Sequence, residues 1–188
     1  MKRLGGKTLI FLSYFLAAFI LRKIRFFSLS YEFIEASLFE FIFWFSGIFL
    51  GVHFLKFDQF FHAYFTQPDK PLSLEVKALV QQKKIGQAWD LLSLREGEQK
   101  LAFRSFFFQI AWVGLAIFTL TSTSSLFGKT LLMAIGLRLL LEEWEDILQK
   151  KDISWLFWQI GKPVSLKEQK KYLYLMTIVF SFLSLLLA

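Results

Sequence analysis

Long apolar runs, separated by short charged blocks, set the pattern of this sequence. The longest run extends from Ser105 to Gly128, where 24 successive residues carry no charge. About 20 apolar residues in a helix cross the hydrocarbon core of a bilayer, so this run is long enough to span a membrane by itself. The pattern therefore predicts an all-α integral membrane protein, built as a small polytopic helix bundle.

The other apolar runs are shorter, and we predict about five spans in total. The first run, residues 8–21, has basic residues on both sides. A signal peptide begins in the same way, but no small-residue cleavage site follows, so an uncleaved span is favoured. The run after Lys129 contains Arg138, and its alternative is an amphipathic helix on the membrane surface. The five predicted spans lie near residues 8–27, 38–57, 104–127, 129–143 and 170–188.

Two segments between the spans are predicted to be helical without crossing the membrane. Residues 66–102 have apolar positions at helical spacing, and Gly86 marks the predicted break between two helices. One helix pair cannot bury its apolar side alone, so this hairpin should lie on the membrane, on the bundle or on a partner. Residues 153–161 contain Trp155 and Trp158, which favours a helix at the membrane interface.

Composition agrees with a membrane protein and excludes some chemistry. The chain is 55% hydrophobic and 19% aromatic, with a mean hydropathy of +0.49, whereas globular chains are about 45–50% apolar. It contains no cysteine, which excludes disulfides, thiolate metal sites and thiol nucleophiles. We divide the chain into an N-terminal transmembrane pair in residues 1–65, a cytosolic helical hairpin in 66–102 and a C-terminal transmembrane part in 103–188.

Charge sets the predicted orientation. The formal net charge is +7, and most basic residues fall in segments 1–7, 66–102 and 142–171, which five spans place on one side. The opposite side receives Arg22, Lys23, Arg25 and Lys129. Because basic residues favour the cytosolic face, we predict a cytosolic N-terminus, an external C-terminus and a prokaryotic cytoplasmic membrane. Anionic lipid explains the basic excess, so no nucleic-acid partner is predicted.

A stripe of small and ionisable residues follows one face of the second predicted span. Gly47 and Gly51 have the GxxxG spacing that lets two helix backbones approach closely, which predicts a helix-packing face. Glu40, Asp58 and His62 share that face. Intramembrane ionisable residues are candidates for an ion or proton path. Glu40 and Asp58 are, however, about 27 Å apart along a helix, which predicts that they lie at opposite membrane faces.

Two residue pairs are the remaining candidates for chemistry. Asp58 and His62 are one turn apart and could form a pH-sensitive pair or supply two metal ligands. Two ligands do not define a metal site, so neither a metal nor another cofactor is predicted. Arg138 and Glu142 have the spacing of a helical ion pair. That pairing is favoured where a helix leaves the membrane, and a substrate site is the alternative.

No catalytic set converges in this pattern, so the leading hypothesis is a non-enzymatic, multi-pass membrane subunit or scaffold. It would pack with partner proteins or with a second copy of itself, and would dock a partner through the hairpin. The first alternative is a small transporter or channel using Glu40, Asp58, His62 and Arg138. The second alternative is a membrane-embedded lipid-modifying enzyme using Asp58 and His62.

Overall fold

The computed structural model describes residues 4–25, 31–66, 68–94, 101–149 and 151–187. These residues form helices and connecting turns, with no β-strand among them. The predicted all-α class is therefore confirmed. Residues 26 and 27 of the first predicted span and residue 188 of the fifth lie outside the described ranges.

Seven α-helices and two short helical turns follow one another in the described chain. The α-helices are α1 Leu4–Arg25, α2 Tyr31–Phe61, α3 Pro71–Gln81, α4 Ile85–Leu94, α5 Phe106–Ser122, α6 Leu126–Leu148 and α7 Leu166–Leu187. A π-helical turn, His62–Thr66, continues α2, and a 3-10 turn, Ser154–Phe157, lies between α6 and α7.

The helix α6 lies at the centre of the bundle. The five successive residues from Met133 to Leu137 are all buried, and successive residues on a helix point 100° apart, so this part of α6 is covered on every side. The longest contact is with α2, which runs parallel to α6: Gly47 lies beside Phe127 and Gly51 lies beside Leu131.

A tryptophan fixes α5 onto α6. The indole of Trp112 occupies the space beside Gly136, where a Cβ would stand 2.0 Å from the ring, and its Nε1 donates a hydrogen bond to Leu132 O at 2.7 Å. Gln109, about one turn before Trp112, bonds to Glu143, about two turns after Gly136. Earlier residues of α5 therefore meet later residues of α6, and the two helices run antiparallel.

The outer helices complete the up-and-down arrangement. The helix α7 runs parallel to α5, because Tyr172 bonds to Gln109 and Phe180 stacks on Trp112. The hydroxyl of Tyr14 on α1 donates to Ser184 Oγ at 2.7 Å. The Lys23–Glu40 ion pair and the contact between the Phe15 and Trp44 rings place α1 and α2 antiparallel.

The predicted hairpin is formed by α3 and α4, and it packs against the end of α2. Val76, Ala88 and Leu92 are buried together with Ala63 of the π-helical turn. The prediction of a break at Gly86 is wrong, because Gly86 lies inside α4. The chain reverses instead at Lys83, whose φ of 59° is left-handed.

Several predicted boundaries also differ from the structure. The second helix starts at Tyr31 rather than near residue 38. Ser37 lies inside it, where its hydroxyl accepts a hydrogen bond from Lys23 Nζ. The helix predicted near 129–143 extends over Leu126–Leu148, capped where Ser125 Oγ accepts from Gly128 N. The interfacial helix predicted at 153–161 is reduced to the 3-10 turn.

Among the described residues, two helices are long and apolar enough to cross a membrane by length and composition, Ser37–Leu55 within α2 and Leu166–Leu187. Only 22% and 28% of their most apolar windows are buried in the bundle. The helix α5 is also apolar, but it has 17 residues. These helices indicate membrane association at a coarse level, and the count of five spans stays a prediction.

Candidate functional site

Gly47 and Gly51 lie on the face of α2 that packs against α6. A Cβ built on Gly47 would stand 2.6 Å from Phe127 O, and one built on Gly51 would stand 2.7 Å from Leu131 O. Both distances are below a van der Waals contact, and both atoms belong to the backbone of α6. The two glycines therefore bring two backbones of the same chain together.

Glu40 lies at the opposite end of α2 from Asp58. Lys23 Nζ donates to Glu40 Oε2 at 2.6 Å and to Ser37 Oγ at 2.9 Å, which joins the end of α1 to the beginning of α2. The structure does not bring Glu40 close to Asp58 or His62. The candidate ionisable residues of this stripe therefore form two separate groups, one near each end of α2.

Asp58 joins α2 to the segment before α5. Its side chain is 2% exposed, and its Oδ2 accepts a hydrogen bond from Phe103 N at 2.7 Å. Burial raises the pKa of the Asp58 carboxyl, while the bond from Phe103 N and the nearby Arg104 and His62 lower it in part. The net direction is upward.

His62, the first residue of the π-helical turn, is buried about one helical turn after Asp58. The charge of His62 lowers the pKa of the Asp58 carboxyl, against the larger effect of burial. Within the described ranges, no group of three or more His, Asp and Glu side chains is placed to hold a metal ion.

Glu142 lies between two arginines. Arg138 Nε donates to Glu142 Oε1 at 3.0 Å, and Arg104 Nη2 lies 3.1 Å from Glu142 Oε2. Arg104 and Glu142 are largely buried, and Arg138 is more exposed. The pair Arg138–Glu142 is local to α6, whereas Arg104 connects α6 to the start of α5.

A second buried group lies one residue further along α6. Gln109 Nε2 donates to Glu143 Oε1, and the hydroxyl of Tyr172 donates to Gln109 Oε1. Glu143 is 0% exposed, and its Oε2 has no hydrogen-bond partner among the described residues. This chain of bonds connects α5, α6 and α7 at the same end of the bundle as Asp58.

We refer to Asp58, Arg104, Gln109, Glu142, Glu143 and Tyr172 as the polar cluster. Four of these residues, Arg104, Gln109, Glu143 and Tyr172, were not among the candidates from sequence. One signal was available: Gln109 is an amide near the start of an uncharged run of 24 residues. The burial of Glu143 beside the partly exposed Glu142 follows only from where α5 and α7 lie.

The polar cluster is a candidate site on the basis of its geometry alone. No family model, curated protein or solved structure matches this chain. A functional assignment therefore depends on what these residues do chemically. Ser105 lies next to Arg104, at the start of α5. Its hydroxyl donates to Ala102 O and accepts from Phe108 N, as the side chain of an N-cap residue does.

The bonds of the polar cluster connect helices rather than converge on an open space. Asp58 holds the start of α5 to α2, Glu142 holds it to α6, and Gln109 connects α6 to α7. Acyl and group transfer need a nucleophile next to a general base that a third group orients. The residues of the polar cluster are instead arranged in bonds that hold helices together, which is the geometry of an internal brace.

Proposed function

We propose that this chain is a multi-pass membrane subunit or scaffold with about five spans, whose hairpin docks a protein partner. The observation that carries the proposal is the lateral surface of the bundle. Large apolar side chains are exposed along α1, α2, α5 and α7; Phe118 is 61% exposed and Ile178 is 68% exposed. Monomeric soluble proteins rarely expose contiguous apolar patches of more than a few hundred Å², whereas lipid tails cover such a surface.

The ion pairs at the two ends of the bundle also support its placement across a membrane. Lys23 and Glu40 pair at one end, and Arg104 and Glu142 pair at the other. Ionised groups of a membrane protein are stable near the headgroups or where they are paired inside. The proposed topology has a cytosolic N-terminus and an external C-terminus. It puts the polar cluster on the cytosolic side and the Lys23–Glu40 pair outside.

The proposed partner site is the outer face of the hairpin. Part of its apolar side is covered by the end of α2, and the surface that remains exposed is of mixed polarity. Gly47 and Gly51 are occupied by α6, so they are not available to a second copy. Polar side chains exposed on this face include Glu75, Gln81, Gln82, Gln87 and Asp90.

Cysteine labelling tests the topology, because the native chain has no cysteine. Gln87→Cys lies on the hairpin and Ser124→Cys lies between α5 and α6; both positions are exposed. In intact cells, an impermeant maleimide should label the Ser124→Cys variant and leave the Gln87→Cys variant unlabelled until the membrane is opened. Labelling of the Gln87→Cys variant in intact cells would overturn the orientation.

Photo-crosslinking from the same two positions tests the scaffold role. A crosslinker at residue 87 should capture one protein reproducibly in mild detergent, and a crosslinker at residue 124 should not capture it. A strictly monomeric, uncrosslinked species at residue 87 would refute docking through the hairpin.

A small transporter or channel is the second candidate, and Glu143 is the observation in its favour. Glu143 is fully buried between three helices, and one of its carboxyl oxygens lacks a partner among the described residues. Buried carboxyls of this kind carry protons or cations in transporters. Flux into proteoliposomes distinguishes the candidates. Ion movement that is lost in Glu143→Gln and Arg138→Gln would favour transport, and no flux above that of empty vesicles would exclude it.

A further inference from the structure

An apolar groove lies between the end of α2 and the hairpin. It has a volume of about 540 Å³ and is lined by aromatic rings of α2, the π-helical turn and Phe103, with Val80 and Ile85 from the hairpin. None of the described residues that line it is charged. Phe65 is 72% exposed, and Phe57 and Phe61 are also exposed, so the apolar floor of the groove is open to its surroundings.

The groove continues the apolar surface of a candidate membrane span. Phe57 and Phe61 follow Leu55, the last residue of that span, on the same helix. Trp89 of α4 has its ring 6.1 Å from His53 and 6.2 Å from Phe57. The hairpin therefore reaches the level of the last turn of the span, where tryptophan side chains favour the membrane interface.

The edge of the groove is basic. Lys83 and Lys84 lie in the turn between α3 and α4, directly between the two lining residues Val80 and Ile85, and both lysines are exposed. The hairpin has a third lysine, Lys77, between these residues and Glu75, and the exposed acidic residues of α3 and α4, Glu75 and Asp90, lie outside the segment from residue 76 to residue 89. An apolar floor with a cationic edge is complementary to an acyl chain with an anionic headgroup.

Lys83 occupies a backbone position that favours glycine. Lys83 N donates to Val80 O and Lys84 N donates to Leu79 O, both at 2.9 Å. These two bonds form a Schellman motif, in which the residue with positive φ is usually glycine. Lysine with a φ of 59° is strained there. Strained backbone positions of this kind cluster at ligand-binding and other functional sites.

We propose that this groove binds an anionic phospholipid of the cytosolic leaflet. One acyl chain lies along Phe57, Phe61 and Phe65, and the headgroup phosphate lies between the ammonium groups of Lys83 and Lys84. The site holds the hairpin against the membrane and fixes which of its faces is turned toward a protein partner. The inference rests on the membrane placement proposed above.

Quenching by brominated lipid tests the site with the full-length chain in vesicles. The vesicles are made of phosphatidylcholine and contain a minor fraction of brominated phosphatidylglycerol, or of brominated phosphatidylcholine as the neutral comparison. The part of the fluorescence due to Trp89 is obtained by difference from Trp89→Phe. Brominated phosphatidylglycerol should quench it more strongly, with a preference of about fivefold for each lysine that contacts the headgroup.

Charge variants test whether Lys83 and Lys84 cause the preference for phosphatidylglycerol. Lys83→Gln with Lys84→Gln should bring quenching by the two lipids to the same level. The matched control, Lys167→Gln with Lys170→Gln, removes two exposed lysines of α7 from the same proposed side of the membrane and should keep the preference. Lys83→Gly relieves the backbone strain, so it should fold at least as stably as the native chain and still weaken the preference.

The outcomes separate the site from the membrane placement. A chain that does not float with vesicles would refute both. A chain that floats but is quenched equally by both lipids would refute the lipid site alone. Equal loss in the α7 control would show diffuse attraction and would also refute the site. Loss of the crosslinked protein partner in Lys83→Gln with Lys84→Gln, with lipid preference unchanged, would assign these lysines to the partner instead.

Discussion

The contact between α2 and α6 is built in two different ways along its length. In its middle, Gly47 and Gly51 carry no side chains, and the two backbones touch. About two turns further on, Asp58 and Glu142 are joined to the start of α5 by a hydrogen bond and an ion pair. The first region depends on shape, and the second depends on polar partners that come from elsewhere in the chain.

The difference lies in how each region responds to substitution. Dispersion contacts between backbones tolerate no added volume, because a packed helix cannot move aside locally. Buried polar pairs tolerate added side-chain volume better. They do not tolerate the removal of one member of the pair, because the other member is then buried without a partner. Substitutions that add volume should therefore damage the middle most, and substitutions that remove one charge should damage the end.

The largest expected effect is that of Gly51→Ile. Its side chain would enter the backbone of α6 at Leu131 and the side chain of Ala134, and we expect a loss of about 3 kcal/mol or more in the free energy of unfolding in detergent. Gly114→Ile on α5 is the control, because a Cβ there meets nothing within 4 Å. Equal tolerance at the two positions would show that α2 and α6 do not touch at Gly51.

Glu142→Met should have the next largest effect, a loss of about 3 kcal/mol. The substitution removes the carboxylate between Arg104 and Arg138. Adding Arg104→Met should restore much of the loss, since the pair is then replaced by apolar side chains. Denaturant titration of both single variants and of the double variant gives the coupling energy. A double variant as unstable as the sum of the single ones would show that the ion pair does not brace the bundle.

The apolar half of this comparison could be predicted from sequence. GxxxG spacing in an apolar helix indicates close backbone approach wherever the partner lies, so Gly47 and Gly51 were candidates before any fold was known. The sequence could not show that the partner is α6 of the same chain rather than a second copy. That depends on the parallel placement of two helices about 80 residues apart.

The polar half was largely beyond prediction. Arg138 and Glu142 are four residues apart, and helical geometry alone brings them together. Arg104 and Gln109 meet α6, and Tyr172 meets Gln109, only through tertiary packing. Of these three residues, only Gln109 carries a local signal, as an amide inside an uncharged run. The hairpin shows the same limit, since Gly86 predicted the turn that the structure places at a strained Lys83.

Tyr172→Phe should cost about 1 kcal/mol in the free energy of unfolding, because it leaves Gln109 Oε1 without the hydroxyl donor. Tyr174→Phe is the matched control on the same helix, where the side chain is exposed, and it should have little effect. A comparable loss in both variants would mean that the hydroxyl of Tyr172 does not connect α5 to α7.

The smallest expected effect is the pH dependence due to Asp58. Burial raises the pKa of this carboxyl in the folded chain, so the folded state holds the proton more tightly than the unfolded state, where aspartate titrates near about 3.9. The stabilisation from this proton is full below the unfolded pKa and is lost as pH rises through the folded pKa. Asp58→Asn keeps an acceptor for Phe103 N and cannot ionise.

The stability of Asp58→Asn relative to the native chain should therefore increase as pH rises across that interval and then stay constant. Asp58→Ala removes the same charge together with the acceptor, so it should show the same pH dependence at a lower stability throughout. Denaturant titrations in detergent at a series of pH values measure all three chains. Native and Asp58→Asn curves that run parallel would mean that the carboxyl is as well solvated when folded as when unfolded. The end of the α2–α6 contact would then be open to water, rather than closed in the way its middle is.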